Sequence, residues 1–227
     1  MAESLLQLYF STPAADETPR PAGIASRHAT LLDTVRHDVH HVHDDAVDMD
    51  RIDIALVQRI HAGDAGAFDL LIRGHFTALV RFAASFVGTR DAAEDVVQDV
   101  LTRLWMRRHH MPTTGSVRAF LFTATRNHAL NVLKHNRVVA RSMEMLSREQ
   151  SIASRGSDEA TRDALARLDA VIVTLPERQR SALALRYGQG LRVAEVAAVV
   201  GISTKAAEQL LVRALRTLRA AVASEHS

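Results

Sequence analysis

The chain has 227 residues, 47% of them hydrophobic and 24% charged, with a formal net charge of +2 and no cysteine. A chain of that length holds one large or two small domains, and the lack of cysteine excludes disulfides and thiolate metal sites, as fits a cytoplasmic protein. No run of roughly 20 apolar residues suggests a bilayer span, and Leu5 to Phe10 is too short for a signal-peptide core, so no membrane insertion is expected. In chain order, Met1 to Asp50 comes first, with 3 Arg against 9 acidic residues and three prolines but no sustained periodicity. It reads as a disordered acidic extension. Within it His37, Asp38, His40, His41, His43, Asp44 and Asp45 cluster. On a helix His37 and His41 would share a face able to hold a divalent metal, but a polar disordered tail is the preferred reading and no metal or cofactor is expected. An acidic leader of this kind would also be able to shield basic surfaces, and Met49 is an alternative translation start.

Residues 51–141 are strongly helical and basic, with 12 basic against 7 acidic residues up to Ala140. Asp64 is placed to cap a helix in which Phe68, Leu71, Ile72, Phe76, Leu79, Val80, Ala83 and Phe86 recur at helical spacing, and Gly88 with Thr89 ends it. Asp91, with Glu94 three residues on, predicts the next N-cap as a capping box. That helix buries Ala93, Val96, Val97, Val100, Leu104 and Trp105, leaving Glu94, Asp95, Gln98, Asp99 and Thr102 opposite. Pro112 and Gly115 mark Arg107 to Ser116 as a loop, and a third helix is expected from about Val117 to Asn136, with Phe120 and Phe122 in the core.

Residues 142–157 read as a flexible linker, and residues 158–227 as a second helical domain ending in a helix-turn-helix. Val193 to Val200 is a short apolar helix, Gly201 supplies the turn, and Ser203 caps the next helix. There Leu210, Leu211, Ala214, Leu215 and Leu218 make the buried stripe, while Lys205, Gln209, Arg213 and Arg216 share the opposite face. Cations and an amide on one face beside a tight turn suit a helix laid in the DNA major groove. The expected fold is therefore all-α: two small helical domains behind a disordered extension.

Two stretches resemble a known family. Asp91-Ala-Ala-Glu-Asp-Val-Val-Gln-Asp-Val-Leu-Thr-Arg-Leu-Trp105, followed by Arg118-Ala-Phe-Leu-Phe-Thr-Ala-Thr-Arg-Asn127, is similar to the second region of sigma-70 family transcription initiation factors. Leu175-Pro-Glu-Arg-Gln-Arg180, Leu185-Arg-Tyr-Gly-Gln-Gly-Leu191 and the helix-turn-helix through Leu218 resemble their fourth. The short linker points to the extracytoplasmic-function group. The resemblance implies that Glu94, Asp95, Gln98 and Asp99 meet the clamp helices of core RNA polymerase, and that an apolar surface of the second domain meets the polymerase flap. It implies that Arg118, Arg126, Asn127, Lys134 and Arg137 bind and help open the minus-ten promoter element, with His109, His110, Thr113 and Thr114 in a base-capturing loop. Ser203, Thr204, Lys205, Gln209, Arg213 and Arg216 would lie on the minus-thirty-five element, and an anti-sigma factor would be the regulating partner. Arg192 stands where the family often has a helix-capping Ser or Thr, and Ala206-Ala207-Glu208 departs from the commoner run, which leaves the promoter sequence open. Two other classes fit the sequence less well. An ordinary helix-turn-helix regulator would leave the acidic helix and the Arg-rich third helix unexplained. An enzyme is disfavoured because the sequence has no Gly-rich phosphate loop, nucleophile elbow or His-Glu-x-x-His motif.

Overall fold

The structure, a computed structural model, describes residues 49–142, 168 and 170–223. The extension before Met49 and nearly all of the expected linker lie outside them. A first helix, α1, covers 49–61 and gives way to α2 at Gly63, whose φ of +88° suits a residue without Cβ. As the sequence predicts, Asp64 caps α2 (Ala65–Val87), its carboxylate accepting from the Ala67 N–H at 3.0 Å. Gly88 closes the helix with φ +86°. The next start differs from expectation. Thr89, not Asp91, caps α3 (Arg90–Met106), accepting from Ala92 N–H. Asp91 falls inside the first turn, where a negative charge favours the helix dipole, and Glu94 pairs with Arg90 at 2.8 Å in place of forming a capping box. A tight 3-10 turn (Arg108–His110) leads to Met111, which is buried, and α4 (Val117–Ser142) follows, its first turn capped by Ser116.

α2 packs on both α3 and α4. An 18-residue window of α2 reaches a mean hydropathy of 1.3, long and apolar enough by composition to cross a membrane, although Asp69, Arg73 and Arg81 interrupt the helix and no continuous apolar run of about 20 residues occurs. The apolarity has a packing role: Leu71, Leu79, Phe82 and Phe86 are buried, and Phe82 stands edge-on to both Phe86 and Phe122. Phe82 was missed by the sequence reading, as was His75. The imidazole of His75 lies 2.8 Å from the carboxylate of Asp53 with both side chains almost fully enclosed. This pair pins α1 to α2.

In the second domain a helical turn over 170–174, α5, precedes α6 (Glu177–Leu183). A π-helical segment (Ala184–Gly188) widens the end of α6 and turns the chain into Leu191, whose N–H donates to Leu185 C=O. Then come α7 (Val193–Val200), Gly201 in the left-handed region at φ +76°, and α8 (Thr204–Ala223), capped by Ser203 as expected. No strand occurs among the described residues. α7 packs on both α8 and α4, and the buried apolar residues of the two domains form one contiguous cluster.

Candidate nucleic-acid and protein-binding surfaces

The α3 face separates as its 3.6-residue period dictates. Ala93, Val96, Val97, Val100 and Leu104 are buried, and Trp105 packs half-buried against Phe68. Asp95, Gln98 and Asp99 are exposed and Glu94 is half-buried. The four are not equivalent. Glu94 is engaged by Arg90, and Asp99 accepts from the His128 ring on α4 at 3.1 Å with Arg103 nearby at 3.7 Å. Asp95 and Gln98 stand clear of these ties. His128, which no sequence pattern singled out, thus fixes where one carboxylate of the acidic face points.

The residues of α4 expected to meet the minus-ten element divide into two groups. Asn127 and Lys134 are exposed, and Arg137 lies on α4 with its side chain outside the described residues. Arg118 and Arg126 are covered by the second domain. Arg126, only 8% exposed, makes a two-pronged pair with Glu177 of α6 at 3.1 and 2.8 Å. Arg118 donates to the backbone carbonyl of Gln189 and lies 5.9 Å from the centre of the Phe122 ring. Burial lowers the Arg118 pKa, opposed by the nearby Glu195, Asp50 and Asp53 carboxylates, and a guanidinium stays charged through such a shift. Met111 anchors the loop before α4 by its buried side chain and by its carbonyl, which meets the His61 ring at 3.1 Å. His109, His110, Thr113 and Thr114 remain exposed around it.

On α8, Ala207, Leu211, Ala214, Leu215 and Leu218 are buried, with Leu210 half-buried. Ser203, Thr204, Lys205, Gln209, Arg213 and Arg216 are all exposed. Glu208 and Val212 are exposed as well, so the face carries one acid and one apolar side chain among its cations. An apolar contact of this kind suits a thymine methyl, and a carboxylate suits a cytosine amine.

Arg192, the departure at the α7 cap, has a structural answer. An arginine side chain has no acceptor for the helix N–H groups, so only the reciprocal half of a capping box forms: Glu195 accepts from the Arg192 N–H at 2.8 Å and from its guanidinium at 3.2 Å. The same guanidinium reaches Asp50 of α1 at 2.6 Å, and the other Glu195 oxygen accepts from the Ser116 hydroxyl at 2.5 Å. Burial works to raise the Glu195 pKa, but the bonds from Ser116 and Arg192 outweigh it and hold it low. A depressed folded-state pKa adds stability above the ordinary glutamate value, about 4.3, and that stability is lost as pH falls through the folded-state value. We therefore expect the unfolding free-energy gap between wild type and Glu195→Gln to shrink as pH is lowered from about 6 to about 3. Urea melts across that range check it.

The family model described as sigma-70 region 2 matches residues 71–138, and the one described as sigma-70, region 4 matches residues 165–218. Among curated proteins the chain is 32% identical over 173 residues to the ECF RNA polymerase sigma factor BldN of Streptomyces coelicolor, the match covering 72% of this chain and 63% of that one. It is 30% identical over 174 residues to the ECF RNA polymerase sigma factor SigL of Mycobacterium tuberculosis, covering 73% of this chain and 94% of that one. Among solved structures, the sigma factor RpoE of Bartonella quintana, in complex with the anti-sigma factor NepR, superposes with a TM-score of 0.58 at 26% identity, covering 70% of this chain and 98% of that one.

Proposed function

Since the chain belongs to the sigma-70 family of RNA polymerase sigma factors, in its extracytoplasmic-function group, we propose that it binds core polymerase in the cytoplasm and directs it to a specific set of promoters. The observation that carries this reading is the division of charge between two modules in the family's order. An exposed acidic face on α3 suits the polymerase, and an exposed cationic face on α8 suits duplex DNA. The chain acts by binding energy rather than by catalysis. Contacts to one duplex element hold the polymerase in register, and contacts to the unstacked strand at the other favour the melted state. The proposed α3 contacts are Glu94, Asp95, Gln98 and Asp99. On the minus-ten side we propose Arg118, Arg126, Asn127, Lys134 and Arg137. On the minus-thirty-five side we propose Ser203, Thr204, Lys205, Gln209, Arg213 and Arg216. An anti-sigma factor, as seen with the Bartonella relative, is the proposed regulator.

The test is reconstitution. Purified chain added to core polymerase should confer selective run-off transcription from a subset of genomic fragments. No binding to core polymerase by the folded chain would replace this reading with that of an ordinary helix-turn-helix regulator. Within the reconstituted holoenzyme, Arg213→Ala and Arg216→Ala should each weaken promoter binding. For a phosphate contact each should also flatten the plot of log affinity against log salt by about one. Filter binding at several salt concentrations measures it, and unchanged slopes in both would remove α8 from the DNA.

A further inference from the structure

Two exposed carboxylates of α3 differ in how they are held. Asp95 stands clear, whereas Asp99 is tied to His128 of α4. The ring is the fixed partner: the His128 side chain is 11% exposed and the Asp99 side chain 63%. Both ring nitrogens are engaged. Arg103 Nη1 lies 3.1 Å from Nδ1, and Asp99 Oδ2 lies 3.1 Å from Nε2. A guanidinium only donates, so Nδ1 is the acceptor. The ring proton therefore sits on Nε2 and is donated to Asp99. This clasp changes what the carboxylate offers. An acid four residues before an arginine ordinarily pairs with it on a helix, as Asp69 does with Arg73 at 2.8 Å. Arg103 instead gives Nη1 to the ring, and its Nη2 stays 3.7 Å from Asp99 Oδ2, too far for a hydrogen bond. Among the described residues no hydrogen bond reaches Asp99 Oδ1.

We propose, resting on the reading of α3 as the polymerase-binding face, that His128 is a positioning residue for that interface. It anchors Asp99 by one oxygen, draws Arg103 aside, and so leaves Oδ1 for a cationic donor on core polymerase. Two effects favour binding. A carboxylate already fixed to an enclosed ring loses less rotamer freedom on docking than a free one. An arginine engaged elsewhere does not have to be displaced before the partner's cation can enter. His128 itself touches no partner, since its two nitrogens are both occupied within the chain.

The experiment titrates the full chain against purified bacterial core RNA polymerase by calorimetry. His128→Leu keeps apolar bulk in the seam and loses both bonds. His128→Gln keeps both, because its amide nitrogen donates and its oxygen accepts. His128→Leu is expected to bind about fivefold more weakly, the loss expected of one mis-set hydrogen bond, and His128→Gln to stay within about twofold of wild type. Thermal melts verify folding. Should His128→Leu not fold, His128→Asn, whose shorter amide cannot reach both partners, takes its place with the same expectation. The deciding comparison is made on an Asp99→Ala background. There His128→Leu should cost nothing further, because the group it positions is gone. A merely structural role would weaken binding equally on both backgrounds. Wild-type binding by His128→Leu, equal losses in His128→Leu and His128→Gln, or an undiminished loss on the Asp99→Ala background each overturns the proposal. Wild-type binding by Asp99→Ala beside weak binding by Asp95→Lys overturns it too. Failure of the polymerase-binding reading looks different: Asp95→Lys and Asp99→Ala would both bind as wild type does.

Discussion

Asp95→Lys is expected to weaken core polymerase binding by at least about tenfold, a change of about 1.4 kcal/mol. Setting a like charge against a basic surface costs several kcal/mol when the contact is desolvated, so complete loss of capture in a pull-down falls within the expectation. Asp95 is the clean position for this test. It is exposed on α3 with the apolar stripe of that helix on the opposite side, so the fold should survive, with a stability change within about 0.5 kcal/mol. Asp99→Lys is a mixed perturbation because the carboxylate also holds the His128 ring. It changes the α3–α4 contact together with the surface charge. The double variant Asp95→Lys/Asp99→Lys should therefore lose capture more completely and also melt at a lower temperature. Capture by Asp95→Lys at wild-type strength would remove this face from the polymerase interface.

His75→Ala is expected to destabilise the first domain by about 3–5 kcal/mol, because it leaves the Asp53 carboxylate buried without its partner. Against a total folding free energy of about 5–15 kcal/mol, that is enough to unfold a marginal domain. The effect should reach the second domain. α1, which the pair fastens to α2, also carries Asp50, the acceptor for Arg192 at the α7 cap. Replacing both His75 and Asp53 by apolar residues of similar volume should cost far less, since the desolvated charge disappears with its partner. Chemical denaturation of the three proteins separates these outcomes, and equal losses in the single and double variants would show that packing volume, not the buried hydrogen bond, governs the site.

What the sequence determined by itself is what depends on near neighbours. The 3.6-residue period of α2, α3 and α8 identified their buried and exposed faces, because a helix places i, i+3 and i+4 on one side whatever it packs against. The Asp64 and Ser203 caps and the Gly201 turn were legible for the same reason: each bond closes within a few residues. At α3 the observed cap lies two positions before the predicted one. Thr89 and Asp91 are both able caps, and the choice between them depends on where Gly88 releases the preceding helix. The order of the acidic and basic surfaces, and with it the family, was also in the sequence. Only the tertiary structure decided which polar side chains are occupied. His75 and Asp53 lie 22 residues apart, Asp99 and His128 lie 29 apart, and Arg126 and Glu177 lie 51 apart. No local pattern joins such residues. Whether a charged side chain meets solvent or a partner is set by how helices dock, and docking follows the summed fit of many buried side chains. That is why Arg118 and Arg126 read in sequence as two more exposed cations of α4, while the fold closes the second domain over both.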